Sequence, residues 1–142
     1  MEMKQPLEVL RLYPAHDYSL HGAFLSRMQR DPRRPFMVYE GRTWSWGAFH
    51  DASLRTARVL AARGITRGDR VAVMARNHPG HPLMLFALAR LGAIMVPVNP
   101  EFGVTEASYV LHHAGVTAVA CSSDALAVAR EACGGIKPAP WF

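Results

Sequence analysis

The sequence predicts an α/β fold: an N-terminal helix and β-hairpin, a long helix, then a short parallel sheet with βαβ crossovers. Three observations predict it. From Arg70 onward, short β-rich runs alternate with helical stretches: Arg70–Ala75, Ala93–Val98 and Val116–Cys121 are the strands. Helical crossovers between apolar strands imply parallel pairing, right-handed at each crossover. Upstream, Phe36–Glu40 turns through Gly41 into Arg42–Trp44, a hairpin signal, and an amphipathic stretch from Trp46 to Arg63 follows it.

Each element has a local cause. Residues 1–16 show no clear period. Asp17 or Ser19 is placed to cap a helix over Leu20–Arg30, with Leu20, Phe24, Leu25 and Met28 as its buried stripe, and Asp31-Pro32 ends it. Ser45 stands where a cap is needed for Trp46–Arg63. There Trp46, Phe49, Ser53, Ala57 and Leu60 share one face, flanked by Leu54 and Ala61. Gly64 sits where a left-handed C-cap belongs. Thr66–Asp69 is a tight polar turn, and 77–82 is a loop whose Pro82 suits the first turn of a helix. Leu83–Leu91 is apolar nearly all round and calls for cover on every side. Gly92 caps it, and Pro97 demotes the following strand to an edge or a bulge. Thr105 is expected to cap a helix reaching His113, with Tyr109, Val110 and His113 inward, ended by Gly115. Asp124 is expected to cap a last helix to Glu131.

The chain divides into a partial N-terminal subdomain, residues 1–132, and an irregular tail, 133–142, expected to pack on nothing in this chain. Its 142 residues make one domain, 50% hydrophobic and 19% charged, so a packed core is affordable and wholesale disorder is excluded. The net charge of +5 raises the question of nucleic acid. The arginines answer it: Arg55, Arg58 and Arg63 lie on one polar helix side, Arg30, Arg33 and Arg34 in a loop, and Arg67, Arg70, Arg76 and Arg90 are scattered. No basic run with interleaved aromatics occurs, so a solvated basic surface is the reading, with no nucleic acid. Cys121 and Cys133 form no C-x-x-C pair and indicate no disulfide framework, which fits a reducing cytosol. The N-terminus has no signal-peptide run, and Leu83–Leu91 is too short to span a bilayer. The expected location is cytoplasmic.

Ligands of parallel sheets sit at the C-terminal ends of the strands, which here carry Arg76-Asn77, Asn99-Pro100 and Ser122-Ser123. Other candidates read as structural. Gly134-Gly135-Ile136-Lys137 imitates a phosphate loop but lacks the flanking strand and helix. His78, His81, His112 and His113 lack the convergent spacing zinc requires. Trp44 and Trp46 fix the hairpin to the helix rather than line a ligand pocket. Ser45 lacks the G-x-S-x-G surroundings of a nucleophile and is a cap.

Three further pieces carry a family likeness. Arg42-Thr43-Trp44-Ser45-Trp46-Gly47-Ala48-Phe49 looks like an early "T-aromatic-x-E-L" signature, with Ala48 for the usual Glu and Phe49 for the usual Leu. Gly64-Ile65-Thr66-Arg67-Gly68-Asp69-Arg70 turns a helix end into the first sheet strand. Ala89-Arg90-Leu91-Gly92-Ala93-Ile94-Met95-Val96-Pro97-Val98-Asn99-Pro100 is close to a second core signature. In this order and spacing, from about Phe36 to Cys121, they resemble the N-terminal part of the AMP-forming acyl-CoA synthetases, the adenylate-forming ligases. The wording is nearest to the bacterial branch of crotonobetaine/carnitine-CoA ligases and medium- and long-chain acyl-CoA ligases.

The resemblance implies a role in fatty acid metabolism through a two-step reaction. A carboxylate attacks the α-phosphate of ATP to give acyl-AMP and pyrophosphate, and the thiol of coenzyme A then displaces AMP. Full-length members use ATP, Mg²⁺, coenzyme A and a carboxylic acid substrate. They gather phosphate charge on a Ser/Thr/Gly-rich loop ending in Pro-Lys-Gly. Further on they use an aromatic-Gly-x-Thr-Glu segment, a ribose-binding Asp, an Arg and a catalytic Lys on a small C-terminal domain. None of these patterns occurs in the 142 residues. No catalytic, cofactor-binding or metal residue is therefore assigned, no cofactor is expected in this chain, and it is expected to be inactive as an isolated fragment. The alternatives are a non-catalytic binding or assembly module, self-associating through exposed apolar surface, and a truncated gene product with no independent role.

Overall fold

The computed structural model describes residues 5–10, 12 and 17–142. A short helix, α1 (Pro6–Leu10), appears where no period was legible; the Glu8 carboxylate reaches back to the Gln5 N–H at 2.8 Å. The rest of the expectation for residues 1–16 lies outside the described residues. Helix α2 (Leu20–Arg30) has the expected span, and Ser19 is its cap, accepting from the Gly22 N–H at 2.9 Å. Phe24 is buried and Leu25 and Met28 are half-buried. Leu20, expected in the stripe, is exposed; it opens the helix a full turn before the Phe24 contact begins.

Strands β1 (Pro35–Tyr39) and β2 (Arg42–Ser45) form the expected antiparallel hairpin. Its two-residue loop, Glu40-Gly41, has φ of +47° and +74°, the type I′ geometry that matches strand twist. Helix α3 (Trp46–Ala62) starts at Ser45, whose Oγ accepts from the Ala48 N–H at 3.2 Å. It buries Phe49, Ala52, Ser53, Ala57 and Leu60, the stripe its spacing dictates. Gly64, at φ +88°, ends it in a Schellman motif: Gly64 N–H donates to the Ala61 C=O and Ile65 N–H to the Leu60 C=O.

The sheet has strands β3 (Arg70–Met74), β4 (Ile94–Val98) and β5 (Ala118–Cys121), in the order β4-β3-β5, all parallel. Val71–Met74 is buried on both faces because β3 is central. Pro97 lies on the edge strand, as its missing N–H requires. The polar turn before β3 locks the sheet to the next helix end. Asp69 accepts from the Thr66 N–H, Gly68 N–H donates to the Gly92 C=O at 3.0 Å, and Ile94 N–H donates to the Asp69 C=O at 2.7 Å.

Alternating β3 residues face two cores. Val71 joins Ala57, Leu60, Ile65 and Leu88 under α3 and α4 (Gly80–Leu91). Ala72 and Met74 join Leu111, Val116 and Ala129 under α5 (Val104–Ala114) and α6 (Leu126–Ala132). A third cluster sits between α2, the hairpin, α3 and α4: Phe36 stands 4.4 Å from Trp46 and 4.5 Å from Phe49, and Phe24 lies 4.5 Å from Phe86, ring to ring.

Several expectations are corrected. Helix α4 begins at Gly80, ahead of the apolar run from Leu83, and Pro82 lies in its first turn as expected, where its missing N–H has no partner to lose. Its cover is not complete, since Leu85 stays 38% exposed. Thr105 does not cap α5; Gly103 does, with the Glu106 carboxylate accepting from the Gly103 N–H at 2.9 Å. Of the α5 residues expected inward, Val110 packs on the core, but Tyr109 is 72% exposed and His113 is exposed; the fully buried positions are Ala107 and Leu111, one helical repeat apart. Asp124 does not cap α6, whose N-cap is Ala125 without a side-chain bond. The tail does pack: Ile136 lies on the core, Pro140 is buried, and Trp141 extends the sheet, its C=O accepting from the Val119 N–H at 2.9 Å. A parallel edge strand as apolar as β5 draws in any backbone that reaches it.

Candidate site at the strand ends

The helix after β3 crosses one face of the sheet, and the helices after β4 and β5 cross the other. The chain segments leaving β3 and β5 therefore diverge to opposite faces, the topological switch point at which such sheets hold ligands. A cavity of about 490 Å³ opens there. Arg76 and Asn77 border it from the β3 end, Ser122 and Asp124 from the β5 end, and Tyr39 reaches over from the hairpin.

Its polar groups are largely engaged. Arg76 Nη2 lies 2.6 Å from Glu101 Oε1. Tyr39 Oη donates to the Asn77 C=O at 3.5 Å, and its ring meets the edge of His78 at 5.6 Å. The Gly80 N–H donates to His78 Nδ1 at 3.0 Å, so the neutral ring carries its proton on Nε2. Ser122 Oγ is sealed from solvent without a partner of hydrogen-bonding geometry. It still lies close enough to Asp124 to be the main cause of that carboxyl's lowered pKa, helped by the Asp124 amide and the Arg76 charge. Burial pushes the Cys121 thiol up, against the opposing pull of Arg130. A thiol held protonated is a poor nucleophile and a poor metal ligand.

Of the strand-end residues singled out in the sequence, Arg76, Asn77 and Ser122 border the cavity, and Asn99, Pro100 and Ser123 do not. Asn99 instead shapes the next turn, its Oδ1 accepting from the Glu101 N–H at 3.0 Å. Sequence reasoning missed Tyr39, which is 38 positions from Asn77, and placed Asp124 as a cap. The aromatic at the hairpin turn was the only signal for Tyr39. His78 and His81 border the cavity, whereas His112 and His113 lie in the last turn of α5, where cations suit the helix dipole. Among the described residues no group of three His, Cys, Asp or Glu side chains converges to hold a metal. Trp44 and Trp46 belong to the aromatic cluster, as expected. The Gly134–Lys137 stretch uses its amides internally: Gly134 N–H bonds the Glu131 C=O and Ile136 N–H the Cys133 C=O.

A triphosphate with Mg²⁺ needs unengaged amide donors and cations aimed at one point. Here Arg76 pairs with Glu101 at the solvent-exposed rim and the Gly80 amide is bonded to His78, so neither is a ready donor to that group.

Comparison with known proteins agrees with the fold. The chain is 38% identical over 84 residues to acyl-CoA ligase SID4 of Ajellomyces capsulatus, covering 59% of this chain and 14% of the relative. It is 33% identical over 90 residues to a crotonobetaine/carnitine--CoA ligase of Salmonella paratyphi B, covering 63% and 17%. Among solved structures, the Mycobacterium tuberculosis fatty acyl CoA synthetase superposes with a TM-score of 0.79 at 25% identity, over 87% of this chain and 26% of that one. The N-terminal domain of FACL13 from the same organism gives 0.77 at 25% identity, over 87% and 33%. The chain thus spans between about a seventh and a sixth of the length of these two curated relatives. No helix among the described residues is long and apolar enough to cross a membrane. The AMP-binding enzyme model matches residues 24–139, from the Phe24 cluster through all three sheet strands, and the chain belongs to that family.

Proposed function

We propose that this chain supplies the structural opening of an ATP-dependent acyl-CoA ligase domain and by itself carries out neither half-reaction. Family membership and the acyl-CoA ligases among its relatives support the first part. The engaged Arg76 and Gly80 amide at the switch point carry the second. In this reading the Gly68–Gly92 bond and the two cores hold a rigid sheet against which nucleotide-binding elements assemble. ATP, Mg²⁺, coenzyme A and the carboxylic acid are ligands of the longer relatives. The unpaired thiols fit a reducing, cytoplasmic setting, and the dispersed arginines do not form a nucleic-acid track.

The test is pyrophosphate exchange into ATP with carboxylic acids of increasing chain length. No exchange and no acyl-AMP are expected from the purified chain; either one appearing overturns the proposal. A second reading, an assembly module, is favoured by exposed Val59, Leu85 and Ile94 and by a β5 edge that, among the described residues, meets only Trp141. Light scattering on a sizing column decides it: a concentration-independent monomer without dye-binding surface removes this reading.

A further inference from the structure

A second hollow, about 570 Å³, lies on the sheet face between α3, α6 and the tail. Its floor is apolar, built from Leu60, Val71, Met84 and Leu126. Three guanidinium groups border it: Arg55 and Arg63 from α3 and its cap, and Arg130 from α6. No acidic side chain lines it, and none of the three arginines is within ion-pair distance of a carboxylate among the described residues. Two of them are held in place by the tail, Arg63 over the Trp141 ring and Arg130 over the Phe142 ring, each at 5.5 Å. Stacking of this kind orients a guanidinium while leaving its N–H edge free.

We infer that this groove binds a single-chain amphiphile with a phosphate monoester head. Charge complementarity selects the head. Three uncompensated guanidiniums match a dianion better than a monocarboxylate, and the guanidinium fork meets phosphate oxygens in pairs. The floor selects the rest, since an apolar surface with arginines on its α3 and α6 walls fits an alkyl chain carrying an anionic head, and the volume lies within the range of small-molecule sites. The chain has somewhere to run: Met84, Ala120 and Cys121 border both this groove and the strand-end cavity, so the two hollows share a wall. The inference is independent of the ligase reading, because it uses none of the strand-end polar groups.

The probe is dodecyl phosphate below its micelle concentration, titrated by calorimetry into the full chain. Saturable one-to-one binding is expected, weaker by about tenfold or more in R63Q and in R130Q, as loss of a charge-assisted pair implies. The control R58Q, outside the groove, retains affinity. Far-UV dichroism of each variant separates lost binding from lost fold, and R63K keeps the charge while removing the paired geometry. Dodecanol and inorganic phosphate, each carrying half of the ligand, bind at least tenfold more weakly. Equal binding of dodecanol, equal loss in R58Q, or binding to anionic vesicles with none to the monomeric amphiphile would each overturn the inference.

Discussion

Truncating Phe49 to alanine removes the centre of the aromatic cluster. Its side chain is 0% exposed, and its ring lies 4.5 Å from Phe36, 5.9 Å from Phe24 and Phe86, and 6.1 Å from Trp44. A buried Phe→Ala change costs about 3–5 kcal/mol through lost transfer energy and the cavity left behind. Four ring partners from four elements collapse into that space only by moving the elements, which places this site near the upper end. The edge and tilted ring contacts are each worth about 0.5–1.5 kcal/mol but share partners, so they do not add in full. About 4 kcal/mol is a large part of the roughly 5–15 kcal/mol that folds a domain. With a urea slope of about 2 kcal/mol per molar, the midpoint falls by about 2 M at unchanged slope. F49L keeps most of the volume and is expected to cost about 1–1.5 kcal/mol. Urea titration followed by far-UV dichroism reads both. If F49A loses under about 1 kcal/mol, or F49L loses as much as F49A, the cluster is not the packed joint described here.

Further outcomes follow from single contacts. S45A removes the acceptor of the Ala48 N–H at the start of α3 and should cost about 1 kcal/mol, with S45D close to neutral in the same urea titration. Burial lowers the His21 pKa below 6.5, and the Arg90 and His50 charges push the same way against Asp17. The unfolded chain therefore binds more protons there, so His21's contribution to stability is complete above pH 6.5 and is lost as pH falls through the folded pKa. H21Q should flatten that part of the pH–stability curve, and a curve unchanged by H21Q refutes the assignment. Burial raises both thiol pKa values, so Cys121 and Cys133 should label slowly with iodoacetamide at pH 8 and fast in urea.

The elements were legible where one residue type has one local use. Gly64, Gly92 and Gly115 each end a helix at positive φ, as placed from sequence, and Ser45 caps as expected. Errors fell where several residues compete for one role. Thr105 and Asp124 are good caps by type, yet a backbone that enters the helix elsewhere leaves them uncapped, and Tyr109 is apolar enough to look inward while Leu111 takes the core. The strand-end site was legible as a place, because the order of strands and helices fixes where the chain leaving a parallel sheet diverges to opposite faces. Its membership was legible only in part: Arg76, Asn77 and Ser122 were placed there, whereas Tyr39 arrives from a separate hairpin.

The sequence by itself determined the alternation of strands and helices and the family wording, since periodicity and turn chemistry act over a few neighbours. Only the tertiary structure decided that Arg76 pairs with Glu101 while Arg63 and Arg130 stack on the rings of the tail, and that Trp141 joins the sheet. Electrostatic pairing and edge-strand capture depend on distances between segments remote in sequence, and a list of residues carries no such distances.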